Sequence, residues 1–149
     1  MTVLSAQTLR YIKPVTPFFE RTLHELSGTT YGLSACGYDV RLDQDVLLPP
    51  DGFQLASTVE QFTMPRDVVG IVHDKSSWAR RGLAVQNTVI EPGWCGYLTL
   101  ELTNHSKNAI ALHRGTPIAQ ILFHALDQET DSPYTGKYQN QERGPQSAR

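Results

Sequence analysis

In several segments apolar and polar positions alternate with a period of two, which is the mark of strands buried on one face. Tyr38-Asp39-Val40-Arg41-Leu42 alternates, Pro49-Pro50-Asp51-Gly52 supplies a turn, and Phe53 to Val59 alternates again, so strand, turn and strand are predicted there. After the punctuation of Pro65-Arg66-Asp67, the short run Val68-Val69-Gly70-Ile71-Val72 predicts a buried strand. Leu83 to Val89 is extended, and Glu91-Pro92-Gly93-Trp94 forms a turn. Tyr97 to Thr103 then alternates so that Leu98, Leu100 and Leu102 face one way and Thr99 and Glu101 the other. Asn108 to Leu112 and Ile118 to Phe123 add two strands around the turn Arg114-Gly115-Thr116-Pro117. Many short strands at near-regular spacing predict an all-β sandwich or barrel.

One helix interrupts this pattern. In Asp74-Lys75-Ser76-Ser77-Trp78-Ala79-Arg80-Arg81-Gly82 a serine can cap the start and Gly82 can end about two turns in the left-handed conformation, with Ser76 and Arg80 on one face. Residues 1–30 form an irregular N-terminal segment in which Pro14 and Pro17 limit helices to short pieces, residues 31–127 form the β domain, and the polar residues 128–149 form a mobile C-terminal arm.

The 149 residues suit one domain, and a net charge of −2 provides no basic field for polymeric nucleic acid. Cys36 and Cys95 are far apart and outside any C-x-x-C spacing, which points to a reducing, cytoplasmic setting. No run approaches the roughly 20 apolar residues of a membrane span, so a soluble protein is expected.

Two places can carry chemistry. The helix start, its two serines, Lys75 and Arg80 make a compact anion site, or else an ordinary capped surface helix. Glu101 lies among leucines, where it needs solvent, a cation or a catalytic role. Glu91, in a turn, makes a weaker case. The five histidines show no metal-ligand spacing, and the H-x-E…P-C-x-x-C signature of zinc deaminases is absent.

The ordered strings Lys75-Ser76-Ser77-Trp78-Ala79-Arg80-Arg81-Gly82-Leu83, Ile90-Glu91-Pro92-Gly93-Trp94 and Leu100-Glu101-Leu102-Thr103-Asn104 resemble the signature of dCTP deaminases, within the dCTP deaminase and dUTPase superfamily. The likeness extends back through Tyr38 to Leu42 and Met64 to Gly70, and forward through Arg114 to Gln120 and Tyr134 to Gln141. It implies a distorted jelly-roll or β-barrel of the dUTPase-like type with one short helix. It also implies a homotrimer with active sites between subunits, a pyrimidine deoxynucleoside triphosphate as substrate, Mg2+ held mainly by that triphosphate rather than by the protein, and an arm that closes over the site.

By the same resemblance Glu101 shuttles the proton between water and the cytosine ring, while Ser76 and Arg80 position the water and steady the pocket. Lys75, Ser77, Tyr134, Lys137 and Gln141 would bind triphosphate and base, Glu91 would accept the deoxyribose 3′-hydroxyl, and Trp94 would pack under the sugar. Thr88, Val89, Thr99 and Leu100 would complete the substrate site. The implied activity is hydrolytic deamination of dCTP to dUTP and ammonia. Only Val89 separates Thr88 from Ile90, about two residues fewer than deaminases usually place in that loop. Two alternatives follow: a dUTP or dCTP pyrophosphatase, alone or combined with deamination, in which the acid at Glu91 activates water, and a nucleotide-sensing regulatory trimer.

Overall fold

The structure is a computed structural model that describes residues 2–149. In chain order its elements are β1 (Thr2–Val3), α1 (Ala6–Ile12), β2 (Val15–Thr16), β3 (Thr22–His24), β4 (Thr29–Leu33), β5 (Tyr38–Arg41), β6 (Val46–Leu48), β7 (Phe53–Thr63), β8 (Val68–Asp74), α2 (Ser76–Ala79), β9 (Leu83–Val85), β10 (Val89–Ile90), β11 (Cys95–Asn104), β12 (Ile110–Leu112) and β13 (Pro117–Ala125). One sheet runs β10-β8-β13-β5-β4-β3, with β1 added against β13; a second runs β2-β7-β11-β9; β6 and β12 form a small third ladder. Every ladder between these strands is antiparallel.

The core is built from inward-facing strand residues, among them Tyr38, Val40, Leu100, Leu102, Ile121 and Phe123, all fully buried. The N-terminal segment is tied to the body at several points: β1 pairs with β13, β2 pairs with β7, and Leu9 of α1 is buried in the core.

The sequence pattern misses three local features. There are two short helices rather than one, and α1, with seven residues, is the longer. Proline is no obstacle to it, because Pro14 follows Lys13, whose left-handed backbone already ends the helix. The predicted two-turn helix is a single turn, Ser76–Ala79. Lys75 stands at the cap position without a side-chain capping bond, and the helix ends at a right-handed Arg80, two residues before the left-handed Gly82 (φ +92°) that was expected to end it.

The third feature is an irregularity in β7. Tyr97 pairs with Gln61 but Thr99 pairs with Ser57, so β7 spends four positions where β11 spends two. This bulge buries Ser57, Thr58 and Glu60 in what should be an alternating strand. The Thr58 hydroxyl accepts the Leu98 N–H (3.1 Å) and donates to the Glu60 carbonyl (2.7 Å), satisfying backbone groups that the ladder leaves unpaired. Opposite the bulge, Leu98 is only partly buried: it packs against the core that holds Leu100 and Leu102 and also lines the same cavity as Thr99 and Glu101.

Glu60 itself is fully buried and held by Arg41, through Nε (2.8 Å) and the backbone N–H (2.9 Å). The Arg41 guanidinium also lies 4.4 Å from the Tyr31 ring centre and 5.1 Å from that of Phe19. Burial pushes the Glu60 carboxyl upward, opposed by the bonds from Arg41. Removing one partner of a buried pair leaves the other charge uncompensated. Glu60→Ala is therefore expected to cost about 3 kcal/mol in urea denaturation; an unchanged midpoint would show that the pair does not hold β5 to β7.

Candidate active site

A cavity of about 480 Å³ opens between the two main sheets. β7 contributes Phe53 and Leu55, β8 contributes Val72, the segment from Asn87 to Trp94 forms one wall, and Leu98, Thr99 and Glu101 of β11 form the floor. The C-terminal arm closes the remaining side with Tyr134, Tyr138, Gln141, Gln146 and Ala148. The cavity is thus mostly apolar, with a few polar groups convergent on it, the usual build of a small-molecule site.

Two acids face it. Glu101 is partly buried, and burial alone pushes its carboxyl above the ordinary glutamate range, with no nearby cation to pull it back. Glu91 is exposed at the mouth, in the turn whose carbonyl accepts the Trp94 N–H (3.1 Å). Trp94 is buried; its ring packs 6.1 Å from that of Phe62, and its Nε1–H donates to the Tyr138 carbonyl (2.7 Å). Val89 is 46% exposed on the rim beside Thr88.

The arm is fastened by backbone and side chain together. Tyr97 N–H donates to the Gln141 carbonyl (3.0 Å), and Gln141 Nε2 donates to the Tyr97 carbonyl (2.8 Å) and the Thr99 hydroxyl (2.9 Å). This approach requires glycine at 96: a Cβ there would lie 2.7 Å from the Gln141 nitrogen, and φ is +148°. Farther along, Gly144 N–H donates to the Ser57 hydroxyl (3.2 Å) and Gln146 N–H to that of Thr99 (3.0 Å). Arg143 grips Asp43 with Nε (2.6 Å) and Nη2 (2.7 Å).

The expected site residues therefore fall into groups. Glu101, Glu91, Trp94, Thr88, Val89, Thr99, Tyr134 and Gln141 share the cavity. The Leu100 side chain does not join them: it is fully buried in the core, so only its backbone is placed to contact a ligand. Lys75 and Ser76 line a separate polar cavity of about 280 Å³ with Arg21, Ser34, Asp39 and Gln120. There Lys75 Nζ bonds the largely buried Asp39 at 2.5 Å, a partner that sequence reading did not supply. Ser77 is partly buried on α2, whereas Arg80 and Lys137 are exposed, and none of the three lines either cavity. With α2 only one turn long, there is little helix dipole to support an anion at its start. The trio Glu101, Ser76 and Arg80 is not assembled within one chain.

Asn87, Phe53, Leu55, Tyr138 and Gln146 also line the large cavity, and pattern reading passed over them. Only Asn87, a polar residue in a stretch read as extended, offered any signal. Among the described residues no group of three or more His, Cys, Asp or Glu is placed to hold a metal ion, and no helix is long and apolar enough to cross a membrane.

Comparison with known proteins gives the family and the fold. Residues 33–126 match the family model described as dCTP deaminase-like. The dCTP deaminase of Acidobacterium capsulatum is 33% identical over 160 residues, covering 86% of this chain and 87% of that protein. That of Anaplasma phagocytophilum is 35% identical over 144 residues, covering 75% and 78%. Among solved structures, the EIAV dUTPase superposes with a TM-score of 0.57 at 26% identity, covering 68% of this chain and 84% of the viral one. A mutant dUTPase from phage phi11 of S. aureus, whose structure details the coordination of a structural Mg(II) ion, reaches a TM-score of 0.60 at 14% identity, covering 80% and 91%. The expected dUTPase-like β fold is therefore present, with two short helices in place of one.

The Arg143 grip, together with Arg114, holds the Asp43 carboxyl below the usual carboxylate range. A depressed folded value means that this contribution is present above the ordinary aspartate pKa and is lost only as pH falls through the lowered one. Hydrogen exchange of residues 141–148 is expected to stay slow through the ordinary carboxylate range and to rise below it. Arg143→Ala should raise that exchange at neutral pH; unaltered protection would assign the closure to the bonds of Gln141, Gly144 and Gln146.

Proposed function

Because the chain belongs to the dCTP deaminase-like family, we propose that it deaminates dCTP hydrolytically, giving dUTP and ammonia, with Glu101 as the proton-transferring residue. The observation that carries this reading is Glu101 itself, the carboxyl lifted by burial on the floor of the cavity. A raised value brings a general base closer to the operating pH, where proton transfer in both directions is effective. The carboxylate takes a proton from water as the oxygen attacks C4 of cytosine. It passes that proton to N3, then takes the proton of the new C4 hydroxyl and hands it to the amine, so that the C4–N bond breaks as the C4 carbonyl forms and ammonia leaves. Ser76 and Arg80 position the water and steady the pocket.

Since Ser76 and Arg80 lie apart from the Glu101 cavity in one chain, the complete site is made between subunits of a homotrimer. Phe53 (59% exposed) and Val89 (46%) supply apolar surface at the cavity rim for a neighbour to cover. Lys75, Ser77, Tyr134, Lys137 and Gln141 take the triphosphate and base, Glu91 the 3′-hydroxyl, and Trp94 the underside of the sugar. Mg2+ travels on the triphosphate and offsets its charge. Such an ion keeps several waters and needs few protein oxygens. A pool of free deoxynucleotides places the work in the cytoplasm.

A second reading, pyrophosphate release from dUTP or dCTP, is favoured by one observation: Glu91 reaches the same cavity from its solvent-facing mouth, where an attacking water is available.

Glu101→Gln is expected to abolish ammonia release while leaving dCTP affinity nearly unchanged, because the amide keeps the shape but takes no proton. In the unaltered enzyme the acid limb of kcat/KM should lie above the ordinary glutamate pKa, since only the ionised form accepts the water's proton. Wild-type turnover in Glu101→Gln would remove this residue from the mechanism. Mixing inactive Glu101→Gln and Arg80→Ala subunits should recover about a quarter of the wild-type sites if each site draws on two subunits at random. No recovery after verified subunit exchange would place both residues in one chain's site.

A further inference from the structure

β9 pairs with β11 only as far as Val85 opposite Leu102. One more main-chain bond, from Gln86 N–H to the Glu101 carbonyl (2.9 Å), closes the ladder before the chain turns into the wall of the cavity. Beyond that point the edge of β11 would expose the N–H of Glu101 and the carbonyl of Thr99, which point the same way on either side of Leu100. Both are taken by one side chain. Asn87 Oδ1 accepts the Glu101 N–H (3.0 Å), and Asn87 Nδ2 donates to the Thr99 carbonyl (2.7 Å). The carboxamide replaces a peptide group of the missing strand, donor to acceptor and acceptor to donor.

We propose that Asn87 is the positioning residue of the active site, holding the β11 backbone on both sides of Leu100 so that Glu101 and Thr99 face the cavity at fixed depth. This rests on Glu101 being the proton-transferring group. Several features set Asn87 apart from an ordinary loop residue. Its carboxamide binds backbone at both ends, one N–H donating to Thr99 and the oxygen accepting from Glu101. It stands in the three-residue connection between β9 and β10, directly beside the edge of β11. Thr99, the other end of its grip, is also the residue on which the arm closes, through Gln141 Nε2 (2.9 Å) and Gln146 N–H (3.0 Å). The clamp thus joins wall, floor and arm at a single stretch of β11.

The side chain must present one donor and one acceptor. Asn87→Ala removes both. Asn87→Asp keeps the acceptor but sets a carboxylate oxygen against the Thr99 carbonyl, until protonation restores an O–H donor. For dCTP deamination we expect Asn87→Ala to lower kcat roughly 10- to 100-fold with little change in KM, the scale on which misplacement of a catalytic group acts. Asn87→Asp should be similarly slow at neutral pH and recover toward acid, with a pH profile displaced from that of the wild type. A KM increase at unchanged kcat would overturn the proposal by making Asn87 a substrate contact. Loss of thermal stability with wild-type kcat and pH profile would overturn it by making the role purely structural.

A readout without turnover separates this idea from the deaminase reading. In 13C NMR titration of the ligand-free protein, the raised Glu101 carboxyl should relax toward the ordinary glutamate value in Asn87→Ala, as the loosened strand admits water. If the wild type fails to release ammonia, the function fails; if the Glu101 titration is the same in both proteins, the clamp fails.

Discussion

The pairing of β7 with β11, and the bulge that interrupts it, is the constraint on which the rest of the molecule depends. A regular ladder would have put Leu98, Leu100 and Leu102 together in the core. The extra residues of β7 around Thr58 interrupt that ladder at one point: Leu100 and Leu102 stay buried, and Leu98, packed against the core, is left partly open to the cavity of Thr99 and Glu101. A bulge exposes backbone groups and draws polar residues inward, so it persists only where they are satisfied. Here Thr58 bonds across to Leu98, Ser57 receives the arm at Gly144, and Glu60 meets Arg41. The same distortion therefore shapes the cavity floor, provides a docking point for the C-terminal arm, and ties the two main sheets together.

Electrostatics of the site follow from that geometry. Glu101 sits among apolar walls with no cation beside it, so its carboxyl is raised by desolvation. Glu60 and Asp39 are more deeply buried and are also pushed up by desolvation, but each has a cationic partner, Arg41 and Lys75 respectively, that draws it back. Of these three inward acids Glu101 is the one without a structural bond, the condition expected of a group kept for proton transfer. One subunit gathers Glu101, Trp94 and the arm around one cavity and leaves Lys75 and Ser76 in a separate polar one. Assembly into a trimer is what would unite these two halves.

Much of this was legible in the chain. The segments around Tyr38, Val68, Glu101 and Ile118 have a period of two and became strands β5, β8, β11 and β13, because one face of each packs in the core. Glu101 and Glu91 were singled out from residue type and setting, and both face the large cavity. What pattern reading missed arose from long-range contacts. The bulge is invisible in Ser57-Thr58-Val59-Glu60, since nothing local says that the polar members turn inward to meet Arg41 and the arm. Helix α1 could be read only as a short helical piece ahead of a proline, since its anchors, the buried Leu9 and the packing of Ala6 and Ile12 on the core, are long-range. The polar tail lacks apolar periodicity, yet it is held through Gln141, Arg143 and Gln146, whose partners lie some 40 to 100 residues away in sequence. Asn87 was passed over for the same reason: its two bonds are recognisable only once β11 is beside it.

The chemistry assigned to Glu101 rather than Glu91 is the central claim, and the products of one reaction decide it. Purified protein incubated with dCTP and Mg2+, followed by ion-exchange separation of nucleotides and an ammonia assay, is expected to yield dUTP and ammonia in equal amounts with no pyrophosphate. Formation of dCMP with pyrophosphate and no ammonia would contradict the account and transfer the reaction to Glu91.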